Sequence, residues 1–364
     1  MKIAQIPPLF ETVPPKLYGG TERIVSYLCD ALVSLGHDVT LFASADAVTS
    51  ARLVEVRDQA IRLDPAHKKS PVAAHFSMLH EVRSLADDFD VLHFHIDLLH
   101  LPFFEGIADR TVTTLHGRLD NKDLPETYRR WNAYPLVSIS ENHRKPMPNA
   151  NWLGTVHHGL PLELHRPPLK PRGDYLAFLG RISPEKRPDR AIAVATKAGI
   201  PLKIAAKIDG PGDEAYFREV VKPLLDNPLV EFVGEITDSQ KAAFLGNAIA
   251  LLFPIDWPEP FGLVMIEAMA SGTPVIAWSR GSVPEIVDDG LTGLIVRSVD
   301  DAVAAVEKVV HLDRRRIRET FEKRFSADVM ARKYLSLYRR GLAAQPSTKV
   351  VPATVLAQLR PTIT

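Results

Sequence analysis

Pro254-Ile255-Asp256-Trp257-Pro258-Glu259-Pro260-Phe261-Gly262-Leu263-Val264-Met265-Ile266-Glu267-Ala268-Met269-Ala270 is the stretch that decides the fold. It follows a short apolar run at 250–253 and passes through a proline-rich loop into a helical pattern, so it reads as a strand feeding a helix. Glu267 is the sole charge among Val264, Met265, Ile266, Ala268, Met269 and Ala270, which makes the helix buried nearly all round. A carboxylate in that setting needs hydrogen-bond donors. Ligand hydroxyls are one source, and an internal lysine or arginine, which would make Glu267 a paired core carboxylate, is the other. Phe261, Gly262 and Leu263 stand at the helix start, where amides lack intrahelical partners and the dipole favours an anion. Glycine at 262 lets a ligand approach that backbone closely. Glu259 adds a second carboxylate for another hydroxyl of the same ligand, although a solvated loop glutamate would look the same.

The same rhythm extends in both directions. Strands are predicted at 2–6, 39–43, 91–94, 111–115 and 136–139 with a helix at 21–35, and again at 175–180, 202–206, 230–233, 250–253, 274–277 and 293–296. Two α/β domains with parallel sheets follow, and 364 residues suit two cores better than one. The prolines and charges from His165 to Gly173 read as the linker. The expected division is a first domain at 1–165, a second at 166–325, a helix at 326–344 and a tail at 345–364. The helix has an aromatic face that must be buried. The tail carries only a weak apolar stretch at 355–359 as a docking point. In open α/β sheets ligands sit outside the carboxyl ends of the strands, so residues that directly follow strands are the candidates.

Gly180-Arg181-Ile182-Ser183-Pro184-Glu185-Lys186-Arg187-Pro188 is such a segment. Ser183 followed by Pro184 predicts an N-cap and first helical position, which places Lys186 in a first turn where a cation is unfavourable without a nearby anion. A diphosphate resolves that conflict, with Arg181 as fork and Lys186 as point charge. A solvated charge run around Glu185 is the competing reading, strongest for Arg187. Tyr18-Gly19-Gly20-Thr21-Glu22 follows the first strand; Thr21 is a candidate cap, and the glycines admit phosphate or sugar, or simply make a tight turn. Thr114-Leu115-His116-Gly117 puts His116 at a carboxyl strand end facing the cleft. His93, His95 and Asp97 alternate and share a face, but no further ligand completes a metal set, so no metal is expected and His93 reads as a satisfied core histidine. His157-His158 lies at another strand end with no evident partner.

Bulk composition narrows the partners. Apolar residues make up 46% and charged residues 24%, as in ordinary globular proteins, and Lys+Arg equals Asp+Glu at 44 each, so no strong field recruits nucleic acid. The first domain carries slightly more acid than base, which allows at most weak peripheral membrane contact. Cys29, the one cysteine, falls in an apolar helical pattern as a small hydrophobe. No signal peptide or membrane span is evident, so a cytoplasmic location is expected.

The segment Glu259-Pro260-Phe261-Gly262-Leu263-Val264-Met265-Ile266-Glu267 resembles the E-x7-E motif of family 4 glycosyltransferases, which have the GT-B fold: two Rossmann-like domains facing a central cleft. Tyr18-Gly19-Gly20-Thr21-Glu22, Thr114-Leu115-His116-Gly117, Gly180 to Lys186 and Ser271-Gly272-Thr273-Pro274-Val275-Ile276-Ala277 resemble that family's pattern in the expected order. The resemblance covers residues 1 to 340. It implies that Glu267 binds the donor ribose and Glu259 the donor sugar near O3, while Phe261, Gly262 and Leu263 offer amides to sugar and phosphate. Arg181 and Lys186 would neutralise the diphosphate, Gly19 and Gly20 approach it from the first domain, and His116 contact the sugar. The helix from Met330 to Tyr338 would cross back onto the first domain. In place of the family's usual glycine-rich stretch stands Ala205-Ala206-Lys207-Ile208-Asp209-Gly210, which would add Lys207 as a cation near the donor.

The expected activity is retaining transfer of a hexose from a nucleotide-diphosphate sugar, UDP- or GDP-linked, to a glycan, lipid-linked or small-molecule acceptor, with no cofactor and no metal. The only D-x-D triplet, Asp88-Phe89-Asp90, precedes its strand and lies at the wrong end for the cleft. No nucleophile is evident, so the leaving phosphate is expected to help deprotonate the acceptor in a front-face displacement. A nucleotide-sugar 2-epimerase of the same fold, or a two-lobed sugar-binding protein without activity, are the alternatives.

Overall fold

In the computed structural model the strands are near-continuous apolar runs, as in parallel sheets covered on both faces; Ile3, Ala4 and Ile6, for example, are fully buried. The structure describes residues 1–16, 19–168 and 170–343; Tyr18 and the segment from 344 onward, including the apolar stretch at 355–359, lie outside the described residues. The first half runs β1 (Lys2–Ile6), α1 (Gly20–Ser34), β2 (Asp38–Ser44), β3 (Arg52–Arg57) and α2 (Pro71–Ser84). It continues with β4 (Val91–Phe94), β5 (Thr111–Thr114), α3 (Leu124–Arg130), β6 (Leu136–Ser138) and β7 (Trp152–Thr155). Its parallel sheet has the order β3-β2-β1-β4-β5-β6-β7.

The second half runs β8 (Leu176–Arg181), α4 (Pro188–Ala198), β9 (Leu202–Lys207), α5 (Pro211–Tyr216), β10 (Val230–Gly234) and α6 (Asp238–Gly246). There follow β11 (Leu251–Phe253), α7 (Leu263–Ala270), β12 (Val275–Trp278), α8 (Val283–Ile286), β13 (Gly293–Val296) and α9 (Val299–Val309). This sheet is also parallel, in the order β10-β9-β8-β11-β12-β13. Strand order reverses between β1 and β4 and between β8 and β11, and a crevice opens at such reversals. The chain is therefore an α/β protein of two Rossmann-like halves in the GT-B arrangement.

Strands β3 and β7 and helix α2 were not anticipated. Both strands are sheet edges, where one flank is solvated and the apolar signal weak, and β7 is interrupted by Gly154. Helix α1 is capped by Gly19 with no side-chain bond, so Thr21 lies inside the first turn instead of capping it.

Helices α10 (Arg314–Phe325) and α11 (Ala327–Ala343) return the chain to the first half. At the crossing the Leu160 N–H donates to Phe325 O and the Ala327 N–H to Leu160 O, each 2.9 Å. Arg318 locks the adjoining linker by donating to Leu162 O, His165 O and Ala270 O. The aromatic face of α11 is buried: Tyr334 Oη meets Thr114 at 3.0 Å and Tyr338 Oη meets His93 Nδ1 at 2.8 Å. One apolar cluster consequently runs from β1 and α1 through α11 and α10 to α7 and β12, while the outer face of each sheet has its own core. No helix of the described residues is long and apolar enough to cross a membrane.

A Cβ at Gly159 would lie 2.3 Å from Ser326 O, so this crossing tolerates no side chain. Gly159→Ala is expected to lower the unfolding free energy by roughly 1–3 kcal/mol, read from urea denaturation. Unchanged stability would contradict the close approach.

Candidate active site

Both strands that flank the second reversal deliver their loops to one cleft of about 670 Å³ between the halves. Arg181 and Lys186 arrive from β8, and Glu259, Phe261, Gly262 and Leu263 from β11. Glu267 on α7, Lys207 from β9, Gly19 and Gly20 at the start of α1, and His116 after β5 line the same space. All eleven candidate residues thus meet there.

Gly262 is the N-cap of α7 with φ of 79°, a left-handed conformation that L side chains rarely adopt. Its left-handed turn opens α7 toward the cleft, and a Cβ on Gly20 would come 3.8 Å from Leu263 across it. Lys186 Nζ donates to Glu259 Oε2 at 2.5 Å, and Trp257 Nε1 donates to the same oxygen at 2.7 Å. Lys186 also lies 5.4 Å from the Trp257 ring centroid. Arg181 donates to Glu185 at 3.1 Å; its Nε lies 3.1 Å from Asp213 Oδ2 without the alignment of a hydrogen bond.

One local expectation is corrected. Ser183 does not cap a helix and Pro184 does not begin one: residues 184–186 form a turn closed by the Lys186 and Arg187 N–H groups on Ser183 O, and α4 starts at Pro188. Arg187, just ahead of Pro188, stands at φ 54° in the left-handed region, so no right-handed helix runs through it. Lys186 therefore owes its place to the turn and to Glu259, not to a first helical turn. Arg187 points away from the cleft, onto Asp189 and Asp256.

Glu267 is 3% exposed and meets Lys241 Nζ at 2.9 Å. Burial opposes its ionisation, but Lys241, with His165 and Arg23, outweighs that and holds the carboxyl below its ordinary range. The lysine partner foreseen for a core carboxylate is present, yet Glu267 also lines the cleft. Lys241 was missed by sequence reasoning, as were Asp238, which pairs with both Lys241 and Arg23 of α1, and Arg118, which spans the halves to Glu185 at 2.9 Å. The signal for Lys241 was available: Thr237 and Gln240 form a capping box after β10, which sets a helix start at the cleft with a lysine in its first turn. His157 finds Glu285 at 3.3 Å, and the Glu285 carboxylate also accepts from the Glu141 and Asn142 N–H groups across the interface.

Facing the charged wall are His116 and His158, backed by His95 and His143. Burial pushes His116 down to about 3 and His143 to about 4, and holds His95 and His158 well below the ordinary value; neighbouring rings add to the effect at His95, His116 and His158. His116 is thus an uncharged hydrogen-bonding group at neutral pH. An unfolded histidine takes up its proton near pH 6.5, whereas these folded rings do not, so stability is expected to fall as pH drops from 6.5 toward 4. Each such ring adds about 1.4 kcal/mol per pH unit over its interval. His158→Phe should flatten the slope of urea midpoint against pH; an unchanged slope would contradict a neutral His158.

Comparison with known proteins agrees with this geometry. Residues 163–324 match the glycosyl transferases group 1 and residues 18–150 match glycosyltransferase family 4, which together take in most of the chain. A phosphatidyl-myo-inositol mannosyltransferase of Mycobacterium leprae is 27% identical over 381 residues, covering 93% of this chain and 96% of the relative. Among solved structures, AviGT4, a glycosyltransferase involved in avilamycin A biosynthesis, superposes with a TM-score of 0.73 at 23% identity, over 95% of this chain and 99% of that one. Anabaena HepE in complex with UDP-glucose superposes with a TM-score of 0.68 at 16% identity, over 93% of this chain and all of the other. These two likenesses speak to the fold, and the two sequence matches to the family: the chain belongs to the family 4 glycosyltransferases and is an enzyme that transfers sugar.

Proposed function

We propose that this glycosyltransferase takes a hexose from a nucleotide-diphosphate sugar, retains its anomeric configuration and needs no metal. The observation that carries the reading is the convergence of Arg181, Lys186 and the open end of α7 on one cleft. As the sugar becomes oxocarbenium-like, negative charge develops on the leaving diphosphate, and fixed cations and amides aimed there act as preorganised stabilisers. HepE, a protein of the same fold, holds UDP-glucose, which supports a UDP-sugar as the first donor to try.

In this reading Glu267 takes the ribose hydroxyls and Glu259 the sugar near O3. Phe261, Gly262 and Leu263 serve sugar and phosphate through their amides. Gly19 and Gly20 close on the phosphate from the first half, Lys207 adds a further cation, and His116 contacts the sugar. Glu259 is already engaged by Lys186 and Trp257, which suits a hydroxyl-binding group better than a nucleophile. A front-face displacement follows, with the leaving phosphate helping to deprotonate the acceptor. The D-x-D triplet stands apart: the Lys2 N–H donates to Asp90 at 2.8 Å, at the amino ends of the strands. Ion pairs Arg23–Asp238 and Arg118–Glu185 span the halves on the cleft and would exclude water around bound donor. The acceptor is a glycan, lipid-linked or small molecule met on the first half, and we place the reaction in the cytoplasm.

A thermal-shift series over UDP-, GDP-, ADP- and TDP-sugars, with EDTA and with magnesium, is expected to show one base raising the midpoint equally in both. Stabilisation that needs magnesium would contradict the proposal. Lys186→Ala is expected to lower transfer by roughly 10²-fold or more while donor affinity changes far less. Equal losses in both would argue that Lys186 binds the ground state only.

A further inference from the structure

Behind His116 runs a buried chain of hydrogen bonds that the roles above do not use. His116 Nε2 meets His95 Nδ1 at 2.9 Å, and His95 Nε2 meets Gln5 Oε1 at 2.9 Å. Gln5 Nε2 lies 3.4 Å from Tyr338 Oη on α11, Tyr338 Oη lies 2.8 Å from His93 Nδ1, and His93 Nε2 lies 2.7 Å from Thr114 Oγ1. Gln5, His93, His95, Thr114 and Tyr338 are all buried, so each polar atom needs its partner.

The Gln5 amide sets the direction of the whole chain, because its oxygen can only accept and its nitrogen can only donate. His95 must therefore carry its proton on Nε2 and offer a lone pair at Nδ1, which obliges His116 to donate from Nε2. On the other arm Tyr338 accepts from Gln5 and donates to His93 Nδ1, and His93 donates from Nε2 to Thr114. Both rings beside Gln5 are neutral, so one proton per ring satisfies every link. Rotating the amide would reverse every bond at once, so the chain has two states and no mixed one.

We propose that this one-way chain fixes His116 as the Nε2–H tautomer, so that the ring offers the cleft only the lone pair of Nδ1. That nitrogen makes no hydrogen bond among the described residues, and it is not one of the buried unpartnered atoms. A lone pair accepts from a hydroxyl and rejects a carbonyl or ether oxygen. Resting on the donor reading above, His116 then selects a sugar with a free hydroxyl at that point. Gln5 and, from the returning helix, Tyr338 are its positioning residues, which makes the docking of α11 a condition for the correct tautomer.

The test is nitrogen NMR of protein labelled with 15N-histidine, His116 being assigned from the signals lost in His116→Asn. At neutral pH the expected spectrum has a protonated, pyrrole-type Nε2 and a pyridine-type Nδ1 for His116, with the Nδ1 signal moving when a binding nucleotide sugar is added but not with its nucleoside diphosphate. Gln5→Leu removes the acceptor for His95 and is expected to shift His116 to the Nδ1–H form, with kcat falling roughly tenfold and donor KM changing less. Gln5→Glu keeps an acceptor and should restore the wild-type tautomer. A pyridine-type Nε2 in the wild type, or a tautomer unmoved by Gln5→Leu, would overturn the proposal. The wild-type spectrum decides even if Gln5→Leu does not fold. Should no nucleotide sugar bind, the donor reading falls, and the tautomer still decides the chain.

Discussion

Two sheets that share no strand become one enzyme because the chain comes back. The crossing at Ser326, pressed against Gly159 and Leu160 with backbone bonds on both sides, sends α11 across the first sheet and carries its core into the second. That return joins the halves, and the Arg23–Asp238 and Arg118–Glu185 pairs bridge them again at the cleft. The same helix brings two buried tyrosine hydroxyls to β4 and β5, where burial without partners would be costly, so the packing that joins the halves is also a polar network reaching the cleft.

The two walls of the cleft differ in electrical character. On the second half, lysines and carboxylates are held against each other, Lys186 with Glu259 and Lys241 with Glu267, which orients both members before any ligand arrives. On the first half the imidazoles are neutral through burial. In the proposed function this division suits the two ends of a nucleotide sugar, with the charged leaving group against fixed cations and the uncharged hexose against hydrogen-bonding rings. Preorganisation of this kind asks little rearrangement at the moment of reaction.

Much of the architecture was legible along the chain. The strands beside the reversals, β8 and β11, are apolar up to Leu179 and Phe253, and Arg181, which closes β8, and Glu259, in the loop after β11, could be placed at strand ends before any contact was known. What could not be read was pairing across long separations. Lys241 lies 26 residues from Glu267, and Tyr338 lies 245 residues from His93; nothing local marks either contact. The turn at Ser183 misled for another reason. Serine and proline do favour a helix start, but a second proline at 188 offered a competing one, and a helix begun at Pro184 cannot continue through the residue before Pro188.

The central claim is that protein cations and helix amides, with no bridging divalent ion, receive the leaving diphosphate. A crystal structure of the protein with a nucleoside diphosphate, grown in the presence of EDTA, tests it most directly. The account predicts the diphosphate between Arg181 and Lys186, within hydrogen-bond reach of the first amides of α7. A diphosphate lodged elsewhere, or bound only once magnesium is supplied and bridged by it, would contradict the account.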